Sequence, residues 1–290
     1  MANPMTADQF LSALLAEGLD VVEVGSWRTH NRNHKGPWGP VNGVMIHHTV
    51  TKGTAATVRI VRDGYADLPG PLCHGMIAKD GRVHLIGYGR TNHAGLGDGD
   101  VLQAVIAEKP LPADDEANTD GNRHFYGFEC ENLGDGKDPW PEVQLDAIER
   151  VSAAICRHHS WGRRSVIGHK EWQPGKVDPR GFDMDSMRER IGQRLADAEP
   201  KPAPSKPKPA ARPTFPGRAA FGPGKSNASI KLLGEQLVKR GYGKHYRIGP
   251  SKSWGEADRL NVRDFQRAHV QLRGDADGYP GPLTWQLLFS

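Results

Sequence analysis

The sequence predicts an α/β fold with a mixed central β-sheet flanked by helices, followed by a small, mainly helical C-terminal module. Three observations support this prediction. Short apolar segments typical of buried strands alternate with segments of helical periodicity between residues 6 and 196. A proline-rich stretch over residues 198–218 interrupts this alternation. Beyond that stretch, three segments have helical character.

Each element of the first region has a local signal. Thr6 is a suitable N-cap and Gly18 a suitable stop for an amphipathic helix over residues 6–17. Lys79-Asp80-Gly81 is a hairpin signal between two short strands. The abundance of glycine and aspartate predicts a long loop over residues 89–120. The other expected elements are an arm over 25–40, helices over 54–64, 140–159 and 183–196, and strands over 44–47, 73–78, 82–86, 125–132 and 166–169.

The proline-rich stretch predicts the domain organisation. Seven prolines among its 21 residues indicate an extended, semi-rigid linker. After it, helices are expected over residues 228–240, 256–268 and 282–289, with a loop over 274–281. We therefore expect a first domain over residues 1–197, with its core at 41–197 and an N-terminal helix and arm at 1–40. A linker over 198–218 and a C-terminal module over 219–290 complete the chain.

Composition and charge exclude some classes of protein. No apolar run is long enough to span a membrane, and residues 1–10 lack the pattern of a secretory signal. The three cysteines are widely spaced and odd in number, which argues against a disulfide framework. The net charge is +4, but residues 219–290 hold 11 lysines and arginines against 6 acidic residues. Such a basic part predicts attraction to a polyanion, either cell wall or nucleic acid.

Two distant segments carry candidate metal ligands. Residues 43–46 form an apolar run that ends at His47 and His48, and a second apolar run over 165–168 leads into His169 and, nine residues later, Asp178. Adjacent residues of a strand point to opposite faces, so only one of His47 and His48 can reach a metal from the strand. Two histidines and one carboxylate, with a fourth position open, are the ligand count of a catalytic zinc site.

These segments, together with Cys73-His74-Gly75 and Lys176-Val177-Asp178-Pro179, resemble the type 2 N-acetylmuramoyl-L-alanine amidases. That family includes phage endolysins and peptidoglycan-recognition proteins. The resemblance implies a peptidoglycan hydrolase with one Zn²⁺ per chain, which cleaves the amide between N-acetylmuramic acid and L-alanine. It also implies that His47, His169 and Asp178 are the ligands, since relatives use the first strand histidine and carry Asp or Cys at the position of Asp178.

The C-terminal module has a resemblance of its own. Residues 264–268 and 277–285 are similar to the peptidoglycan-binding modules of actinobacteriophage endolysins. This similarity implies that the partner is peptidoglycan, expected to be that of an actinobacterial wall. We expect a monomer that accumulates in the host cytoplasm and acts on the wall after release, with no nucleic-acid partner and no membrane span.

Three residues are candidates for catalysis. Lys176 lies two residues before Asp178, so both project to one side of an extended segment, where the lysine can stabilise an oxyanion. Glu129 and Glu131 alternate with Cys130 and are expected on one face of a strand. Some family members have a glutamate at the position of Glu129, so we assign it the transfer of the proton and leave Glu131 as the alternative.

Further residues are expected around the substrate. His74, His93 and Glu131 are candidate substrate contacts. Many relatives have tyrosine where this chain has Cys73, so the role of that tyrosine cannot be transferred to Cys73. A thiol nucleophile formed by Cys73 with His74 is disfavoured because neighbours in a strand face apart.

Two other functions are compatible with parts of the sequence. A non-catalytic peptidoglycan-recognition protein would share the fold, but such relatives usually lack the third ligand, which is present here as Asp178. A nucleic-acid binder would use the basic C-terminal part. That part lacks a clustered basic stripe with interleaved aromatic residues, which disfavours nucleic-acid binding.

Overall fold

The computed structural model describes residues 2–197 and 213–289, except for the side chain of residue 275. The chain divides into two compact units, Met1–Pro204 and Ser205–Ser290. Most of the expected linker, residues 198–212, lies outside the described residues. Among the described helices, none is long and apolar enough to cross a membrane.

The first unit has a six-stranded mixed sheet in the order β1-β4-β3-β7-β2-β8. Its strands are β1 (Val21–Glu23), β2 (Gly43–His48), β3 (Gly75–Ile77), β4 (Val83–Leu85), β7 (Phe125–Cys130) and β8 (Val166–Gly168), and a separate pair is formed by β5 (Leu96–Gly97) and β6 (Thr119–Asp120). Strands β3, β7, β2 and β8 run parallel, whereas β4 is antiparallel to β3. The expected mixed sheet and the hairpin across residues 79–81 are both confirmed.

Helices cover both faces of this sheet. They are α1 (Ala7–Ala16), α2 (Thr54–Asp63), α3 (Gly99–Ile106), α4 (Glu142–His159) and α5 (Met184–Ala196). Helices α1, α4 and α5 pack with the residues of β2 and β7 that point to one side, such as Val44 and Ile46. Helix α3 packs with Met45 and Phe125 on the other side, while α2 packs near Met76. His47 follows Met45 by two residues and therefore shares the face of α2 and α3.

The structure differs from the prediction in two places in this unit. The expected loop over residues 89–120 contains α3, β5 and β6. Asp98 caps α3 by accepting hydrogen bonds from the backbone N–H groups of Asp100 and Val101, and Leu102 and Val105 are buried. The apolar spacing of this helix is present in the sequence, but the surrounding glycines and aspartates are more typical of a loop. Strand β1, which pairs with β4, was also missed.

The second unit is helical, as predicted. It contains α6 (Ala228–Lys239), α7 (Glu256–Ala268), a 3₁₀ segment (Val270–Asp275) and α8 (Pro282–Leu288). Asn227 caps α6 by accepting from the backbone N–H of Ile230. The core of the unit is formed by apolar side chains, chiefly Ile230, Leu233, Leu237, Val262, Phe265, Trp285 and Leu288.

Two adjacent leucines of α1 provide a test of this architecture. Leu14 is fully buried, whereas Leu15 is 52% exposed. Leu14→Ala should lower the free energy of unfolding by about 2–5 kcal/mol, because it leaves a cavity in the core. Leu15→Ala should change it by less than about 0.5 kcal/mol. Urea unfolding of the full chain, followed by circular dichroism, measures both; equal losses would contradict the packing of α1.

Candidate metal centre

A cleft of about 350 Å³ opens where the parallel strands β2 and β7 end. Its polar lining includes His47, His93, Glu129, His169, Lys176 and Asp178. Residues 129 and 47 are direct neighbours across β7 and β2, and Gly168, the last residue of β8, pairs with Ile46. The strand register therefore brings residues that are more than 100 positions apart in sequence to one edge of the sheet.

His47, His169 and Asp178 converge on one point. His47 Nδ1, His169 Nδ1 and Asp178 Oδ2 lie 3.1 Å from one another in all three pairings. A tetrahedral zinc site with bonds of about 2.0 Å has ligand–ligand edges of roughly 3.3 Å. The observed triangle is close to one face of such a tetrahedron, and its two nitrogens and one oxygen are donors that zinc accepts.

The protonation of these groups also fits a cation. Burial lowers the pKa of His47 to about 4, so the ring is neutral at pH 7. His169 Nε2 lies 3.2 Å from Gln173 Oε1 and donates to it, which leaves His169 Nδ1 as an acceptor. Acceptors this close repel one another unless a cation lies between them.

The segment that carries His169 and Asp178 is fixed at both ends. The buried Trp172 donates from Nε1 to the carbonyl of Ala94 at 3.0 Å. The backbone N–H of Arg180 donates to His48 Nδ1, also at 3.0 Å. His48 thus points away from the triangle and holds the end of the segment next to Asp178. The sequence indicated neither hydrogen bond, because each joins distant parts of the chain.

Glu129 lies in the lining of the same cleft as the triangle. Its Oε2 is buried and has no hydrogen-bond partner among the described residues. Burial, followed by the negative charge of Asp178, raises the pKa of Glu129 to about 8, and Lys176 opposes this shift. Lys176 itself is exposed on the cleft wall. An unpaired carboxyl group with a raised pKa in a cleft is typical of a group that transfers protons.

Glu131 does not share this environment. Its carboxylate accepts hydrogen bonds from the backbone N–H of Gly53 at 2.8 Å and from the hydroxyl of Thr54 at 2.7 Å. It therefore accepts hydrogen bonds from groups at the N-terminus of α2, where backbone N–H groups have no partner within the helix. Strand β7 ends at Cys130, one residue before Glu131, and the carboxylate of Glu131 lies at the start of α2 and not at the triangle. The structure does not bring Glu131 to the described lining of the cleft.

His74 is also held away from the cleft. It is completely buried, and its Nδ1 accepts from the backbone N–H of Gly127 while its Nε2 donates to the carbonyl of Gly89, both at 2.9 Å. With both ring nitrogens bound to backbone, the substrate contact expected of His74 has no geometric support. Cys73 is buried as well, and burial raises the pKa of its thiol, which disfavours a thiolate nucleophile.

An apolar wall completes the cleft and was not anticipated from the sequence. It is lined by Val50, Ile60, Val61, Tyr65, Leu68, Leu72 and Val177. Several of these side chains are exposed despite their size, including Val50, Tyr65, Leu68 and Val177. Exposed apolar side chains gathered around a polar centre are characteristic of a ligand-binding surface.

Two histidines and a carboxylate that converge at one edge of an α/β sheet, in the same cleft as Glu129, form a possible metal site of the kind that metal-dependent hydrolases use. Residues 37–181 match the family described as N-acetylmuramoyl-L-alanine amidase, Amidase_2. This match covers half of the chain, and the protein belongs to that family. It is an N-acetylmuramoyl-L-alanine amidase, an enzyme that acts on peptidoglycan.

Solved structures of low sequence identity resemble the chain. The amidase LysC from Clostridium intestinale URNW is 16% identical, with a TM-score of 0.43, and the match covers 59% of this chain and 97% of that one. A mutant endolysin from Bacillus subtilis is 19% identical, with a TM-score of 0.40 and coverages of 60% and 99%. The amidase AmiD from E. coli is 15% identical, with a TM-score of 0.40 and coverages of 89% and 90%. No curated protein matches the chain.

The triangle of ligands leads to a prediction about metal content. The purified full chain should hold about one zinc ion, as expected for a single site with three protein ligands. His47→Ala and His169→Ala should each lose most of that zinc, because two ligands remain in either variant. Elemental analysis after dialysis measures the stoichiometry.

A buried histidine outside the cleft provides the control. His84 lies in β4 and is buried to a similar degree. His84→Ala should retain the zinc content of the parent protein. Equal zinc in the parent, His47→Ala and His169→Ala would contradict the assignment of the site.

Proposed function

We propose that this amidase is a zinc-dependent enzyme that cleaves the bond between N-acetylmuramic acid and L-alanine, and that it serves as a phage endolysin in host lysis. The observation that supports the chemistry is the convergence of His47, His169 and Asp178 beside the unpaired carboxyl group of Glu129. Accumulation in the host cytoplasm and action on the wall after release are part of the same proposal.

Five polar residues of the cleft supply the chemistry in this proposal. A zinc ion held by His47, His169 and Asp178 would supply Lewis-acid polarisation of the scissile carbonyl and the attacking water. Glu129 accepts the proton of the water at its carboxylate and passes it to the leaving nitrogen as the C–N bond breaks. The ammonium group of Lys176 stabilises the oxyanion that develops on the carbonyl oxygen.

The environment of Glu129 favours this assignment over Glu131. A base must have a free lone pair, and Glu129 Oε2 has no partner among the described residues, whereas both oxygens of Glu131 accept hydrogen bonds at the start of α2. Burial destabilises the charged form of Glu129, so its carboxylate is a stronger base than an exposed one. A bound cation would lower the pKa of Glu129 from about 8 and keep the carboxylate available near neutral pH.

The C-terminal unit supports the proposed action on the cell wall. It is a compact unit with its own core, and residues 219–290 hold 11 lysines and arginines against 6 acidic residues. We propose that it binds peptidoglycan and raises the local concentration of the catalytic unit on the wall. The resemblance of residues 264–268 and 277–285 to actinobacteriophage modules makes an actinobacterial wall the proposed partner.

The two glutamates and the lysine provide a test of catalysis. Glu129→Gln should lower turnover on soluble muropeptide by about 10²–10⁴-fold, because it removes the proton acceptor. Lys176→Ala should lower turnover by about 10²–10³-fold, because it removes an oxyanion partner. Both variants should retain zinc, since neither residue is one of the three ligands. Turnover and zinc content are measured on the same preparations.

The matched control is Glu131→Gln, which should retain most of the turnover and lose only some stability at α2. The base must be deprotonated, so turnover of the parent protein should rise with pH through the pKa of Glu129, and this acidic limb should vanish in Glu129→Gln. An inactive Glu131→Gln beside an active Glu129→Gln, both with zinc, would reverse the assignment.

We propose that the first unit catalyses and the second unit binds the wall, and this leads to a test of the C-terminal unit. A chain of residues 1–197 should match the full chain in turnover on soluble muropeptide, since it contains every candidate ligand and catalytic group. On purified insoluble actinobacterial wall it should sediment less and lyse more slowly, because it lacks the anchor. Equal sedimentation of the two proteins would assign wall binding to the first unit instead.

A further inference from the structure

The ring of His93 lies directly behind His47, against the backbone of β7. A Cβ atom added to Gly127 would come within 2.4 Å of His93 Nδ1, so only glycine at position 127 leaves room for this ring. The side-chain oxygen of Asn122 accepts from the backbone N–H groups of both His93 and Ala94 at 2.8 Å. The position of His93 is therefore set by the fold.

The hydrogen bonds of His93 have a defined direction. His93 Nε2 lies 3.2 Å from the carbonyl oxygen of Phe125, and a carbonyl oxygen only accepts, so Nε2 carries the proton. A neutral imidazole has one proton, which leaves His93 Nδ1 as an acceptor. His47 Nε2 lies 3.0 Å from that nitrogen and forms a hydrogen bond with it when Nε2 carries the proton. The single proton of a neutral His47 is then on Nε2, and His47 Nδ1 has a free lone pair.

We propose that His93 is a positioning residue, which accepts from His47 Nε2 and so keeps His47 Nδ1 available as a metal ligand. This inference rests on the proposed zinc-dependent function of the same site. It gives His93 a role different from the substrate contact expected from the sequence. Groups that orient ligand histidines in this way typically affect metal affinity by about 10–100-fold.

The competing arrangement explains why such a partner matters. Without an acceptor at His93, the proton of His47 can move to Nδ1 and be donated to Asp178 Oδ2, which is 3.1 Å away. That contact would give the Asp178 carboxylate a hydrogen-bond donor in the absence of metal. It would also occupy two of the three ligand atoms, so a metal ion would have to break it. The acceptor on His93 favours the other tautomer.

The first measurement needs no variant. In the metal-free full chain with ¹⁵N-labelled histidine, long-range ¹H–¹⁵N spectra report which nitrogen of each ring carries the proton. We expect His47 to be protonated at Nε2 and unprotonated at Nδ1. A His47 ring protonated at Nδ1 in the parent protein would overturn the proposal, and this result does not depend on how any variant folds.

The second measurement compares substitutions at His93 by competition for Zn²⁺ with a chromophoric chelator. His93→Phe keeps a buried ring but removes the acceptor, and its zinc affinity should fall by about 10–100-fold. His93→Asn places an amide oxygen near the former Nδ1 and should recover most of this loss. His93→Gln places its amide near the former Nε2, where it reaches Phe125 but not His47, and should resemble His93→Phe.

The matched control for the loss of a buried imidazole is His84→Phe. His84 is buried outside the cleft, and neither of its ring nitrogens has a partner among the described residues. Its replacement should leave zinc affinity unchanged. Parent-like affinity in His93→Phe, or an equal loss in folded His93→Asn and His93→Phe, would overturn the proposal. Failure of the proposed function would appear differently, as absent amide hydrolysis by a parent protein that shows the expected His47 tautomer.

Discussion

The site depends on one constraint, the parallel register of β2 with β7 and β8. Pairing of residue 47 with Glu129 places the first candidate ligand beside the candidate base. Pairing of Ile46 with Gly168 places the next residue, His169, opposite His47. A shift of one residue in β2 would move His47 to the other face of the sheet and bring His48 into its place.

Much of this arrangement could be predicted from local sequence. Apolar runs that end at His47 and His169 identified two strands and two ligand candidates, and helical periodicity located most of the helices. The structure brings together His47, His169 and Asp178 as expected. These features share a cause: each is encoded within a short segment, where strand alternation, caps and turn residues act directly.

The rest depends on contacts that no local pattern encodes. Glu129 and Glu131 have the same spacing as any pair on one face of a strand, yet the strand ends between them and Glu131 joins α2. His93 resembles a loop histidine until the sheet places it behind His47. The one available signal was Gly127, since a glycine inside a strand often marks the close approach of another group. Identifying that group required the structure.

The burial of sulfur in this enzyme has a consequence for its tolerance of oxidants. Cys73, Cys130 and Cys156 are unpaired and buried, and burial raises the pKa of each thiol. Every methionine among the described residues is buried too. Oxidation of cysteine requires an accessible thiolate, and the third candidate ligand is a carboxylate, which peroxide does not attack. The protein should therefore need no reducing agent during storage and should remain intact in aerated surroundings, where an enzyme with a cysteine ligand would lose its metal.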